Sequence, residues 1–280
     1  MTAAPLYISS LQNPQVKNLV KLRNRRARDE QKVQIIEEPL VIRRARECGL
    51  HLLTVYYCRE QLKTEDGQEL LAELLREEVE RTQFVELASY VMAKVSYRDR
   101  PEGLLVVAPQ RRLNLADLDL PPACLILVVE GVEKPGNLGA IFRIADGAGV
   151  DAILQTDLGT DLYNPNVIRA SRGAVFAIPT VEADIAAVGD FLEQHGIPTV
   201  ATTPEAGEVY TDCDLRGPVA LLLGEEVRGL SREWLSRAER QVRIPMHGCG
   251  DSLNVATSAA LVLYEAVRQR NQSAAESDRS

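Results

Sequence analysis

Short apolar segments alternate with helical segments through the second half of the chain, and this alternation limits the possible folds more than any other feature. The apolar segments have the length and composition of buried strands. They fall at residues 125–129, 152–155, 199–202, 219–223 and 242–244. Strands that are separated by helices run mostly parallel, with helices on both faces of the sheet. The sequence therefore predicts an α/β fold built on a parallel sheet.

The first part of the chain carries a smaller alternation of the same kind. Asn13 and Pro14 have the composition of a helix start, and predicted helices and strands continue to residue 108. Residues 109–122 are polar and end in two prolines, which indicates a linker. We therefore expect a small α/β domain over residues 1–108, a second domain over 123–270 and a flexible tail over 271–280.

The composition of the 280-residue chain excludes several classes of protein. Apolar residues make up 45% and charged residues 26% of the chain, as in ordinary globular proteins. The apolar runs are much shorter than the roughly 18 residues that a membrane-spanning helix needs. The first residues lack the basic and apolar regions of a secretory signal. Five scattered cysteines, never spaced C-x-x-C, favour a reduced, cytoplasmic protein that binds no metal.

The formal net charge is −8, which argues against a nucleic-acid partner, but the charge is distributed unevenly. Seven basic and two acidic residues lie between Lys17 and Lys32, a local charge of +5. Helical spacing of Val16, Leu19 and Val20 predicts that this cluster occupies the outer face of a first helix. The cluster could bind RNA phosphates, or it could be a solvated helix face. The predicted RNA contacts are Lys21, Arg23, Arg25, Arg26 and Arg28.

Three loops that follow predicted strands carry the residues best suited to chemistry, because ligands of parallel sheets bind at the carboxyl ends of the strands. The first loop contains Gly136, Asn137, Gly139 and Arg143. Its glycines allow close approach to the backbone or serve a tight turn. They match neither the dinucleotide-binding nor the P-loop pattern. Arg143 could contact a ligand or form a surface ion pair.

The second loop places Glu225 and Glu226 directly after an apolar strand and Gly224. Paired carboxylates beside a pocket could serve acid–base catalysis. They could equally be the charged start of a loop before Ser231 caps the next helix.

The third loop places Ser252 and Asn254 at the start of the last helix, where backbone N–H groups are available to a ligand. Ordinary helix capping explains these residues as well. Neither Ser252 nor Ser231 has an obvious partner among His51, His195 and His247, and a Ser-His-Asp hydrolase would be possible only through His247.

Together the three loops resemble, in order, the three signature motifs of the SpoU, or TrmH-type, RNA ribose 2′-O-methyltransferases of the SPOUT class. The first motif, N-x-G-x-x-x-R, is present as Asn137, Gly139 and Arg143. The second, L-G-x-E-x-x-G-L-S, begins at Leu223, and the third, I-P-M-x-G-x-x-x-S-L-N-V, begins at Ile244.

The first part of the chain is similar to the small substrate-binding domain that often precedes this catalytic domain. Residues 96–103 resemble its closing segment. The resemblance implies a parallel sheet with a C-terminal trefoil knot, a homodimer, and methyl transfer from S-adenosylmethionine to RNA, with ribosomal RNA favoured. A tRNA substrate, a non-catalytic RNA-binding or assembly factor, and a methyltransferase for protein or small molecules are the alternatives.

The resemblance also implies roles for individual residues. The implied cofactor-binding residues are Leu223, Gly224, Ile244, Met246, Ser252 and Leu253. The implied catalytic residues are Arg143 at the centre, with Asn137, Glu226, Ser252 and Asn254. Arg143 has often been given the role of general base in this family, but a neutral guanidinium is costly. Stabilising a phosphate and the developing 2′-alkoxide is an equally good role. Glu225 departs from the family pattern, in which many members have asparagine.

Overall fold

The computed structural model describes residues 6–78, 80–157 and 159–277. Within these residues the chain forms two compact units. One holds the chain up to Arg111 together with Asp161–Ala177, and the other holds Arg112–Thr160 and the chain from Ile178 onward. The segment Asp161–Ala177, inside the predicted second domain, therefore packs with the first unit. The boundaries of functional domains stay a prediction.

The first unit is a five-stranded mixed sheet with helices. Its strands are β1 (Leu6–Ile8), β2 (Val33–Glu37), β3 (Thr54–Tyr57), β4 (Gln83–Leu87) and β5 (Leu104–Pro109). Its helices are α1 (Pro14–Lys21), α2 (Arg25–Gln31), α3 (Pro39–Glu47), α4 (Glu65–Glu77), α5 (Ser89–Val95) and α7 (Pro165–Ala170). The strand order is β1-β4-β3-β5-β2, and β5 is antiparallel to both neighbours.

Two short helices, α1 and α2, stand where the sequence predicted one basic helix. The chain leaves the helical conformation at Asn24, whose backbone is extended and whose side chain accepts a hydrogen bond from the Arg26 N–H at 2.9 Å. Asparagine favours this capping position because its side-chain oxygen satisfies an amide that the helix leaves unpaired. The basic residues are thereby divided between two helix faces.

The second unit is a seven-stranded sheet in the order β10-β12-β9-β11-β6-β7-β8. Its strands are β6 (Leu125–Glu130), β7 (Ala152–Thr156), β8 (Thr180–Glu182), β9 (Thr199–Thr202), β10 (Glu208–Val209), β11 (Val219–Leu223) and β12 (Arg240–Arg243). Its helices are α6 (Pro135–Ala148), α8 (Ile185–Gln194), α9 (Arg232–Arg237) and α10 (Val255–Ser277). All of its strand pairings are parallel, which confirms the predicted sheet.

Helices cover both faces of this sheet. As a result, every residue of the central strands β6 and β11 is buried. On one face, Val188 and Leu192 of α8 and Trp234 of α9 pack against alternate residues of the two strands. Helix α10 packs against β11 and α6. Such two-sided burial is the reason why these strands are continuously apolar in sequence.

The last helix begins later and ends later than the sequence predicted. It spans Val255–Ser277, so it includes most of the residues that were assigned to a flexible tail, whereas residues 278–280 lie outside the described part. Side chains just before the predicted tail attach the helix to distant parts of the chain. Arg270 donates to the carbonyls of Ala123 and Gly217, and Gln269 donates to the carbonyl of Cys213. No helix in the described ranges is long and apolar enough to cross a membrane.

Candidate functional site

A cavity of about 420 Å³ lies at the carboxyl ends of the central strands of the second unit. The six residues that were predicted to bind a cofactor all line it, and these are Leu223, Gly224, Ile244, Met246, Ser252 and Leu253. The volume is within the range of about 300–1,000 Å³ that is usual for small-molecule pockets. The structure thus brings the second and third motif together in one cavity, while the binding role of each residue stays a prediction.

The topology of the sheet explains this convergence. Strand β11 lies between β6 and β9, parallel to both, and Leu223 is paired with Val129. Their carboxyl ends therefore lie at one edge of the sheet. The end of β9 also contributes to the cavity, through Thr202, Thr203, Pro204 and Glu205. Sequence reasoning missed these four residues, although a threonine–proline turn after a predicted strand was visible.

Gly224 allows the loop of the second motif to fold back across the end of β11. A Cβ atom at this position would lie 2.1 Å from the carbonyl carbon of Gly229 and 2.2 Å from the nitrogen of Leu230. Backbone atoms cannot move away as a flexible side chain can. The close approach of the two chain segments therefore requires glycine here.

The walls of the cavity combine apolar side chains with an excess of negative charge. Four carboxylates, those of Glu205, Glu225, Glu226 and Asp251, line it together with one guanidinium, that of Arg228. The hydrogen bond from the Thr203 hydroxyl lowers the pKa of the Glu205 carboxyl below its ordinary value. Such a site suits a ligand that carries both an apolar ring system and a positive charge.

The unusual Glu225 has a local structural explanation. Its carboxylate accepts a hydrogen bond from the Arg228 backbone N–H at 3.1 Å and lies 3.4 Å from the Arg228 guanidinium. It therefore closes the turn of its own loop, which is a role that a neutral asparagine could share only in part.

Three residues from three different motifs form a hydrogen-bonded chain beside the cavity. The Asn137 side-chain amide donates to the carboxylate of Glu226. The Asn254 amide donates to Asn137 Oδ1 at 3.1 Å, while Asn254 Oδ1 accepts from the Ala256 N–H at 3.0 Å and caps α10. These contacts fix the orientation of both amides. The predicted grouping of Asn137, Glu226 and Asn254 is present in the structure, and their catalytic role stays a prediction.

Arg143 occupies a different place from these residues. It is exposed on α6 and is not among the residues that line the cavity of its own chain. In the described part of the protein its guanidinium has neither a hydrogen-bond acceptor nor an ion-pair partner. Ser252, the other predicted catalytic residue, is exposed at the cavity wall.

A buried carboxylate that sequence reasoning missed is hydrogen-bonded to the last residue of the second motif. Glu130, at the end of β6, is only 4% exposed and accepts a hydrogen bond from the Ser231 N–H at 2.7 Å. Ser231 in turn caps α9 by accepting from the Trp234 N–H at 3.2 Å. The only indication in the sequence was an acidic residue directly after an apolar strand.

The predicted RNA contacts in the first unit have different environments. Arg28 is 2% exposed and forms an ion pair with Asp161, so its assignment as an RNA contact was wrong. The helical spacing alone could not reveal this burial, because its partner lies more than a hundred residues away in the sequence.

Of the exposed arginines, Arg25 and Arg26 form ion pairs with Asp29 and Glu30 on the same helix. Lys21 and Arg23 are exposed and have no carboxylate partner among the residues that the structure describes. Their contact with RNA stays a prediction. Nor do the described His, Cys, Asp and Glu residues form a group of three or more that could hold a metal ion.

Comparison with known proteins supports the resemblance drawn from the three motifs. Residues 124–264 match the model of the SpoU rRNA Methylase family, and residues 13–106 match that of the MRM3-like substrate binding domain. The chain is 34% identical, over 73% of its length and 75% of the relative, to the 23S rRNA (uridine(2479)-2′-O)-methyltransferase of Streptomyces viridochromogenes.

Solved structures agree with this match. The crystal structure of an RNA 2′-O ribose methyltransferase is 43% identical and superposes with a TM-score of 0.82, covering 95% of this chain and 99% of the other. The AdoMet-bound rRNA methyltransferase from Sinorhizobium meliloti is 31% identical, with a TM-score of 0.83 over 94% of this chain and 97% of the other. The chain therefore belongs to the SpoU rRNA Methylase family.

Proposed function

We propose that this protein transfers a methyl group from S-adenosylmethionine to a ribose 2′-hydroxyl of ribosomal RNA. One observation carries the proposal. The three motifs of the family converge at one sheet edge, where Asn137, Glu226 and Asn254 are hydrogen-bonded beside a cavity lined by the second and third motif. The chain is a methyltransferase of the SPOUT fold that uses S-adenosylmethionine, like the AdoMet-bound relative that it resembles.

The cavity fits the cofactor in both shape and charge. Leu223, Ile244 and Leu253 supply apolar surface for the adenosine, and the excess of carboxylates favours a sulfonium cation. When bound, S-adenosylmethionine supplies an electrophilic methyl group. The loop that folds back at Gly224 supplies backbone N–H and C=O groups at the cavity wall.

The Asn254–Asn137–Glu226 chain orients amide groups for the RNA. Each of the two asparagine amides has two hydrogens, and the contacts above use one hydrogen of each. We assign the second hydrogens to the target nucleotide. Amides that are already held in place lose little freedom when the ribose is positioned for in-line attack.

We further propose that the protein is a homodimer with a C-terminal trefoil knot. In this dimer, Arg143 of one copy completes the site of the other copy. The exposed and unpartnered guanidinium, outside the cavity of its own chain, supports this arrangement. Arg143 then stabilises the RNA phosphate and the developing 2′-alkoxide by its permanent charge, because a neutral guanidinium is costly.

The first unit selects the RNA, and its match to a substrate-binding domain supports this role. Ribosomal RNA is favoured over tRNA because the relative from Streptomyces viridochromogenes is named for 23S rRNA. We place the reaction in the cytoplasm, where ribosomal RNA is available.

Titration with S-adenosylmethionine and methylation of rRNA with a labelled methyl donor test the proposal together. Arg143→Ala should abolish methylation and leave cofactor affinity within about twofold, because Arg143 does not line the cavity of its own chain. Arg143→Lys distinguishes a simple positive charge, which retains activity, from the bidentate geometry that only arginine supplies. Arg216→Ala, a change at an exposed arginine outside the cavity, is the control. Normal methylation by Arg143→Ala, or a wild type that binds no S-adenosylmethionine, would overturn the assignment.

A further inference from the structure

Two segments of the first unit contain basic residues and no acidic ones. Residues 6–28 and 87–98 contain neither aspartate nor glutamate, although the whole chain has 40 acidic residues and a net charge of −8. The first segment includes α1 and the second includes α5. In an acidic protein, two such segments are notable only if the fold places them together.

The structure places them side by side. At one end, the Tyr90 hydroxyl at the start of α5 donates to the carbonyl of Ser9, just before α1. At the other end, the Arg23 guanidinium, just after α1, donates to the Lys94 carbonyl at 2.9 Å. Buried residues of the two helices share one core below. The outward faces of α1 and α5 therefore form one continuous surface, which we call the α1–α5 surface.

The cations on the α1–α5 surface are not neutralised. Lys17, Lys21 and Lys94 are exposed, and none of them forms an ion pair with any carboxylate in the described ranges. Helix α2 differs, because its arginines are paired with carboxylates. Uncompensated charge therefore lies on α1, with Lys94 of α5 beside it, whereas the three arginines within α2 are compensated. A polyanion gains most where no carboxylate competes for the cation.

Tyr90 adds an aromatic ring to this charged surface. Its side chain is 57% exposed, yet its hydroxyl is bonded to the backbone, so the ring is held in place with one part open to solvent. Leu11, in the loop beside Ser9, is 42% exposed. An exposed ring that is held in place on the same surface as several cations is an arrangement on which unpaired bases stack while their phosphates are neutralised. A protein partner would instead favour a broader apolar patch with fewer cations.

We propose that the α1–α5 surface binds an unpaired segment of the substrate RNA, with Tyr90 stacked on a base and Lys17, Lys21 and Lys94 on the neighbouring phosphates. The proposal rests on the proposed function, because it assumes an RNA substrate. The first unit would then recognise an unpaired base by stacking, in addition to binding phosphates by charge.

Fluorescence anisotropy with a labelled single-stranded RNA of mixed sequence, and with the corresponding duplex, tests the proposal on the full-length protein. Tyr90→Ala should weaken single-strand binding about tenfold. Tyr90→Phe keeps the ring but loses the bond to the Ser9 carbonyl, and it should weaken binding less. Lys94→Ala should weaken binding and reduce the slope of log affinity against log salt by about 0.7. Arg76→Ala, which removes the same charge from an exposed arginine of helix α4 that is paired with Glu77, is the matched control and should change both quantities less.

Equal affinity of wild type and Tyr90→Ala for the single strand, with Tyr90→Phe also unchanged, would overturn the proposal. So would a duplex that binds as tightly as the single strand, or an Arg76→Ala effect as large as that of Lys94→Ala. Thermal unfolding curves that match those of the wild type show that the variants are folded. A wild type that binds cofactor but no RNA would refute the RNA function itself, whereas a wild type that binds RNA independently of Tyr90 and Lys94 would refute only this inference.

Discussion

The buried ion pair between Arg28 and Asp161 gives the sharpest test of what holds the first unit together. The two side chains are 2% and 8% exposed. The Arg28 guanidinium also donates to the carbonyl oxygens of Leu22 at 2.8 Å and Arg23 at 2.9 Å, and Asp161 accepts from the Tyr163 N–H at 2.9 Å. The pair joins helix α2 to the segment Asp161–Ala177, which comes from a distant part of the chain.

Asp161→Ala leaves a buried guanidinium without its counter-charge. Removal of one partner from a buried ion pair typically costs about 3–5 kcal/mol, because the remaining charge is neither hydrated nor compensated. At about 2–4 °C of melting temperature for each kcal/mol in proteins of this size, the expected loss is roughly 6–20 °C. Arg26 and Glu30 form a pair of the same charges that is 86% and 60% exposed. Glu30→Ala should cost only about 0.5 kcal/mol or less, since water replaces the lost partner.

Calorimetry and urea denaturation followed by circular dichroism measure both variants against wild type. The double variant Arg28→Met with Asp161→Leu removes both charges and should recover most of the loss, because an apolar pair of similar volume is often as stable as a buried ion pair. If Asp161→Ala lowered the free energy of unfolding no more than Glu30→Ala does, burial of this pair would not have the energetic consequence that we derive from it.

Three further predictions concern the cavity, the pH dependence of stability and the cysteines. Gly224→Ala should lower the affinity for S-adenosylmethionine on the order of tenfold or more, because the added methyl group meets backbone; calorimetric titration checks this, and Gly217→Ala, which meets nothing within 4 Å, should bind normally. Burial raises the pKa of the Glu37 carboxyl, so its contribution to stability is present at low pH and decreases as pH rises through that pKa. Glu37→Gln should therefore gain stability relative to wild type from pH 5 to pH 8 in denaturation experiments, and an unchanged difference would contradict this. In the native protein iodoacetamide should alkylate the exposed Cys249 well before Cys213, whose thiol pKa is raised by burial. Mass spectrometry of samples digested at successive times measures the two alkylation rates, and equal rates would contradict this prediction.

The sequence was informative wherever a local pattern has one structural solution. The continuously apolar segments of β6 and β11 have the length and composition of buried strands, and the helices between them favour parallel pairing. Residues of the second and third motif line one cavity, because both motifs follow strands of the parallel sheet, and the carboxyl ends of such strands share one edge. Their roles in binding stay a prediction.

The sequence was less informative where the partner of a residue is distant. Arg28 looked like one more exposed arginine of a basic helix until the fold brought Asp161 to it. The end of β9 entered the cavity only because the strand order places β9 beside β11. The last helix continued into the predicted tail, and just before that tail Arg270 and Gln269 bind carbonyl groups far away in the chain.

Periodicity, turn residues and motif spacing are properties of neighbouring residues, so the chain by itself determined the α/β class, the parallel sheet and the identity of the residues at the strand ends. Burial, ion pairing and the adjacency of α1 and α5 depend on contacts between segments that are separated by many residues, and no local pattern encodes them. Only the tertiary structure therefore decided which cations are neutralised, which remain available on the surface, and which side chains of three separate loops are hydrogen-bonded beside one cavity.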